Sequence, residues 1–292
     1  MRGARNERSP ACRADKASIA YSGDLTALRP FVHNESMPFT LSHAAAALPL
    51  RRARLVTSAL VVGTMAPDFE YFLALKAHDK FGHKFPGIVV LTLPVALLVL
   101  WIFHTFVKVP ATTLLPQRLQ SRMARYLGKF RFGGLGRFLL IVFSTVVGIA
   151  THILWDSFTH AGTYPYAHWS LLRQWVDVPV LGTLPVVKVF QHGSTVLGLG
   201  LLSMWLFGWY RQSEPCRYRF RDVLSPRLRN GILAVGIALA LSGGIARALW
   251  GIGIPTDQIT LRRFTAEVVV TCMALTWWQL VGYGILSFKR ER

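Results

Sequence analysis

Acidic residues, cysteine and phosphate-binding glycine loops are scarce or missing in this chain. Fourteen Asp and Glu stand against 33 Lys and Arg, and charged residues make up only 16% of 292 positions. So low a charge content does not solvate a disordered polypeptide of this length. The three cysteines, Cys12, Cys216 and Cys272, are far apart and form no CxxC pair. That excludes a disulfide framework and a thiolate zinc site. Neither GxGxxG nor GxxxxGK[ST] occurs, and there is no GxSxG elbow. Nucleotide cradling and serine hydrolysis of the elbow type therefore have no support. No internal repeat is visible. Residues 1–36 contain no apolar stretch of signal-peptide type.

Apolar residues, at 52%, are abundant and gathered into runs. The runs fall near 87–107, 138–155, 194–210, 230–254 and 265–288. A bilayer-spanning helix needs about 20 such residues, so five spans are expected, the third being the shortest. Two shorter apolar segments precede them, at 41–50 and 55–75. They read as a short helical hairpin with Arg51, Arg52 and Arg54 at its tip. The expected fold is thus all-α, a polytopic integral membrane bundle of about five spans plus an N-terminal hairpin. Residues 37–292 are expected to form one membrane domain. Residues 1–36 read as a disordered tail or a mis-assigned start, with Met37 the expected natural start.

The net charge of +19 sits mainly in the tail and loops. That pattern suits membrane topology and a lipid partner, not nucleic acid. Loop 108–137 carries seven basic residues and no acid, and 211–229 carries six arginines against Glu214 and Asp222. Both loops and the C-terminus are expected to be cytoplasmic. The loops 76–86, 156–193 and 255–264 then face the other side. Trp101, Trp205, Trp209, Trp277 and Trp278 lie near predicted span ends, where indoles anchor at the interface.

On that outer side the ionisable groups converge. In Thr151-His152-Ile153-Leu154-Trp155-Asp156-Ser157-Phe158-Thr159-His160, the residues His152, Asp156 and His160 recur at helical spacing on one face. Ionisable groups at such a level are costly and mark functional sites. The topology brings His43, Asp68, His83 and His192 to the same face. Imidazole and carboxylate together suit zinc, with manganese as a second candidate. Each residue also has a plainer reading. His152 and Asp156 can satisfy one another by a hydrogen bond. Ser42-His43 and Asp68 can cap helices. His83 lies in a Gly/Pro-flanked loop, His160 follows a helix end, and His192 precedes an apolar run. Glu70 is a candidate general base or ligand-supporting residue. His78 and His168 read as loop residues, and His104 as a snorkelling or packing residue.

Four separated motifs carry a resemblance. Met37-Pro38-Phe39-Thr40-Leu41-Ser42-His43, Ala66-Pro67-Asp68-Phe69-Glu70-Tyr71, the His152-x-x-x-Asp156 stretch and Gln191-His192-Gly193-Ser194 resemble a bacterial membrane family, domain of unknown function 4184. More distantly the pattern is similar to the inner-membrane-associated metal-dependent hydrolases. That second resemblance implies His43, Asp68, His83, His152 and Asp156 as ligands, with His160 and His192 tied to the narrower family. It also implies the bacterial inner membrane. Where those relatives carry Pro-Asp-x-Asp-His, this chain has Pro-Asp-Phe-Glu-Tyr. The missing ligand counts against a two-metal site. The expected activity is hydrolysis of an amphiphile such as a lipid-like phosphoester, with Glu70 or Asp156 accepting the proton. The alternative is a transport or assembly protein whose cluster is a structural metal site or a proton relay. A relay places its groups along the spans rather than at their ends.

Overall fold

A computed structural model describes residues 40–74, 81–179, 182–216 and 224–290. The expected tail 1–36, Met37, Cys12 and His78 lie outside the described residues. The described elements all belong to one compact unit, Glu35–Arg292.

Where a single helix was expected over 41–50, the chain makes a 3-10 stretch, Thr40–Ala46, running into α1, Ala47–Leu50. Arg51, Arg52 and Arg54 follow and are exposed. The segment expected over 55–75 breaks into α2 (Thr57–Gly63), a 3-10 turn (Ala66–Asp68) and α3 (Phe69–Ala74). Pro67 is the cause. It has no N–H to continue the ladder, and its ring disfavours the preceding helical turn. As a result the Asp68 amide bonds to Met65 O at 3.2 Å instead of Thr64 O. The Thr64 carbonyl is left for another donor.

A 3-10 turn, Phe81–His83, leads into a continuous helical run built from α4 (Leu93–Ile102), flanking π-helical segments and α5 (Lys108–Thr113). Next come α6 (Gln117–Met123), α7 (Leu135–Thr159) and the short α8 (Tyr164–His168). The strands β1 (Trp175–Val178) and β2 (Gly182–Pro185) pair antiparallel, with Trp175 opposite Pro185. This small hairpin had no counterpart in the all-helical expectation. The helices α9 (Val186–Gln212), α10 (Pro226–Ile252) and α11 (Gln258–Arg290) complete the fold.

Four helical runs are long and apolar enough to cross a membrane: Ile88–Thr113, Leu135–His168, Pro226–Ile252 and Gln258–Ser287. They contain or overlap four of the five expected spans. The fifth, 194–210, lies in α9, which is not among them. The first turns of α9 are polar (Lys188, Gln191, His192, Ser194), and that dilutes its apolar stretch.

Large apolar side chains face outward on several of these helices. Phe138, Leu139 and Phe143 do so on α7, Leu197, Met204 and Phe207 on α9, and Val235, Ile237 and Leu239 on α10. Water does not favour that much apolar surface, whereas lipid does. The interior is small and tightly packed. Ala59, Leu100 and Ile141 form one cluster, and Ala66, Ala96 and Ile149 another. These join α2 and the 3-10 turn after it to α4 and α7. His104 packs here too, its ring stacked on Phe130 at 3.8 Å and its Nε2 3.0 Å from Ser58 Oγ.

The helices α2 and α7 approach closely. A Cβ on Gly63 would lie 3.1 Å from Gly148 Cα, and one on Gly148 would lie 2.8 Å from Gly63 Cα. Small residues at a crossing let backbones touch, as membrane helices favour. This contact sets Thr64, just past α2, against His152, one turn beyond Gly148.

Candidate metal centre

His152 is completely buried and faces the Thr64 carbonyl, with Nδ1 2.8 Å from that oxygen. A carbonyl only accepts, so Nδ1 carries the proton and Nε2 is the atom turned to the cluster. Around Nε2 lie Asp156 Oδ2 at 3.3 Å, His83 Nε2 at 3.3 Å and Asp68 Oδ1 at 3.6 Å. His152 and Asp156 meet because they are four residues apart on α7.

His43 arrives from the 3-10 stretch Thr40–Ala46. Its ring stacks on His152 with centroids 4.1 Å apart, and its Nε2 is 3.4 Å from Asp156 Oδ1. Neither ring nitrogen of His43 has a hydrogen-bond partner among the described residues, nor does Asp156 Oδ1. Orphaned buried polar atoms of this kind call for an explanation, and an ion is one. Burial, reinforced by the neighbouring His152, lowers the His43 pKa to about 4. The imidazole is therefore neutral at physiological pH, the form that ligates.

Asp68 follows Pro67 in the turn that ends α2 and is 4% exposed. Burial by itself raises its pKa, but the imidazoles of His152 and His83 outweigh burial and hold it below the ordinary value. Its Oδ1 lies 3.4 Å from His83 Nε2. His83 is held from behind. The Gly82 amide donates to Glu70 Oε2 at 2.8 Å, and Thr92 Oγ1 donates to Gly82 O at 2.8 Å. The loop is thus clamped through both the amide and the carbonyl of one residue, Gly82.

Two overlapping donor groups result, His43–His152–Asp156 and Asp68–His83–His152, each with its ligand atoms within 4.8 Å of one another. The structure brings five of the seven expected ligands together, from four separate segments. His160 stands next to them, with Nδ1 3.6 Å from Asp156 Oδ2, but belongs to neither group. His192 is exposed on α9 and also lies outside both groups. Lys188 and Arg262 are its charged neighbours. Its neighbour Gln191 is the residue of that motif turned inward, only 1% exposed. Helical geometry explains the exchange, since adjacent residues point about 100° apart.

Glu70 is placed behind His83 and outside both donor groups. Replacing Glu70 with Ala should loosen the His83 loop, and a metal held by the donor groups would then bind about tenfold or more weakly, the scale for groups that support a ligand. Glu70→Gln should restore most of it, because an amide oxygen still accepts from Gly82. Chelator competition checks both variants. A Gln variant as impaired as the Ala variant would mean that the charge matters, not the loop contact.

Thr64, Thr92 and Gln191 were missed at the level of sequence. Thr64 and Thr92 act through a carbonyl and a hydroxyl in ordinary apolar surroundings, and no spacing marks them. Gln191 stands next to a histidine that drew attention away from it.

Comparison with curated proteins gave no match, and comparison with solved structures gave none. A family model does match, over residues 37–285, a region that includes all five clustered residues. By that match the chain belongs to the family described as Domain of unknown function (DUF4184).

Proposed function

We propose that this protein is a membrane-embedded, metal-dependent hydrolase whose His/Asp centre handles an amphiphilic ester or phosphoester. The observation that carries this reading is the convergence of His43, Asp68, His83, His152 and Asp156, with buried atoms that find no hydrogen-bond partner among the described residues. Two carboxylates balance one divalent cation, so the buried centre is neutral when loaded. Three nitrogens beside them favour zinc, then manganese. One ion is expected. Both donor groups need His152, whose Nδ1 is committed to Thr64, so a single nitrogen serves both.

A bound divalent ion supplies Lewis acidity, polarising a carbonyl or phosphoryl oxygen and acidifying water. The residues supply the rest. His43, His152 and Asp68 are buried. Asp156 and His83 are more open, with side chains 14% exposed, against 1% for His43, 0% for His152 and 5% for Asp68. That opening favours substrate access over a closed structural site. Asp156 Oδ1 is positioned to accept a proton.

The test is the metal content of the detergent-purified protein, followed by a screen of phosphoester and carboxylester amphiphiles. One zinc per chain with turnover supports the reading. Stoichiometric metal with no turnover assigns the centre a structural role in a transport or assembly protein. No metal after supplementation removes it.

We also propose a bacterial inner-membrane topology with the basic loops and the C-terminus cytoplasmic and the metal centre periplasmic. This requires α9 to cross. Its 27 residues are about 40 Å long, enough for the hydrocarbon core. The start of α9 lies level with the site, where Gln191 meets His160. Its end lies level with the basic loop, where Arg122 stacks on Tyr210 at 4.5 Å and the Cys216 amide bonds Ser121 O. In a variant without native cysteines, Ser170→Cys should label with a membrane-impermeant maleimide on intact cells, and Gly128→Cys only after lysis. The reverse pattern would invert the topology.

A further inference from the structure

The reading of the metal centre leaves one polar chain without a role. It runs from Lys188 through Gln191 and His160 to Asp156. Lys188 Nζ donates to Gln191 Oε1 at 2.8 Å. Gln191 Nε2 lies 3.5 Å from His160 Nε2. His160 Nδ1 lies 3.2 Å from the Asp156 carbonyl, 3.2 Å from Thr159 Oγ1 and 3.6 Å from Asp156 Oδ2. Gln191 is 1% exposed and Thr159 4%, so the chain runs through the interior.

We infer that Lys188 and Gln191 fix the tautomer of His160, making it a positioning residue that donates to Asp156 rather than a metal ligand. The direction of the chain follows from its outer end. An ammonium has three donors and no acceptor, so the Gln191 atom facing Lys188 is the oxygen. A flipped amide would set NH₂ against NH₃⁺. The amide nitrogen therefore faces His160, and His160 Nε2 accepts. In the neutral ring the proton then sits on Nδ1.

The inner end agrees independently. Three oxygens surround Nδ1, and each can accept. Thr159 Oγ1 does so because its own proton points at Trp155 O, 3.5 Å away. Both nitrogens of His160 are thus engaged by the protein, and no lone pair is aimed at the donor cluster. The Nδ1–H side bonds the Asp156 carbonyl and sets its positive end 3.6 Å from the carboxylate Oδ2, an electrostatic contact that favours this orientation of the carboxylate. Groups that support a ligating carboxylate in this way tune metal centres.

This inference rests on the metal-centre reading for its consequence, but its core is a protonation pattern that needs no metal. The deciding experiment is histidine ¹⁵N spectroscopy on metal-free wild type and on Lys188→Met, in mildly alkaline buffer. Zinc affinities of His160→Ala and Gln191→Leu are measured beside it. Wild type should show His160 protonated at Nδ1 and bare at Nε2. Lys188→Met frees the amide to flip and should yield a mixture of tautomers. His160→Ala and Gln191→Leu should each bind one zinc at saturation, with affinity lower by about 10–100-fold. Nε2 protonation in wild type would overturn the inference. So would a wild-type pattern unchanged in Lys188→Met, or loss of stoichiometric zinc in His160→Ala. If wild type binds no zinc, the metal reading fails by itself, and the tautomer result still decides this one.

Discussion

His152→Ala should abolish stoichiometric metal binding while the protein still purifies as a folded, monodisperse species. The ring is the one residue common to both donor groups, and Nε2 is the nitrogen it offers. Without it neither group has three donors. Asp68 and Asp156 would then share a buried pocket with less cationic or polar compensation, which further disfavours assembly of the site. The structural cost is moderate. The Thr64 carbonyl loses its donor, worth about 1–3 kcal/mol for a buried acceptor. The α2–α7 contact one turn away is untouched. Asp156→Asn is the companion variant. It keeps shape and removes a charge, so affinity should fall without loss of the fold. Metal analysis of the purified variants reads both. If His152→Ala retained one tightly bound metal per chain, the proposed centre would be wrong.

Gly148→Ala should destabilise the protein more than any other single-methyl change on α7, and metal affinity should fall with it. The new Cβ would collide with the Leu60 carbonyl and lie 2.8 Å from both Gly63 Cα and Thr64 N. All three obstacles are backbone, so no rotamer change relieves them. The helices must separate, at a cost of about 3 kcal/mol or more. Separation also stretches the bond from His152 Nδ1 to the Thr64 carbonyl, which carries the strain into the site. Gly136→Ala, on the same helix, is the control, since a Cβ there meets nothing within 4 Å. It should be neutral or slightly stabilising, as helix propensity predicts. Thermal unfolding in detergent with parallel metal analysis separates the two. Equal effects of both variants would mean the crossing does not position the site.

The helical, membrane-embedded character was legible because apolar runs and basic loops are written in composition along the chain. The convergence of His43, Asp68, His83, His152 and Asp156 was legible as well. Pro67 and the four-residue spacing on α7 are local signals, and charge asymmetry sorted the loops between two faces. The number of spans was less so. The 194–210 segment sits in a helix whose polar first turns blur the hydropathy signal, so its crossing belongs to the proposed topology.

Residue types, spacing and hydropathy by themselves determined that the protein is helical, that lipid suits its surface, and which imidazoles and carboxylates were candidates. Only the tertiary structure gave those candidates their positions relative to one another. It put Gln191 inside and His192 outside, set the Glu70 carboxylate on the Gly82 amide of the His83 loop, and placed His160 beside Asp156 but outside the donor groups. The physical reason is one of range. Helix periodicity and proline breaks act within a few residues. The direction of a side chain relative to a distant carbonyl, such as His152 toward Thr64, depends on how closely two backbones approach. In this protein that approach is set by the absence of a Cβ at Gly63 and Gly148, on segments far apart in the chain.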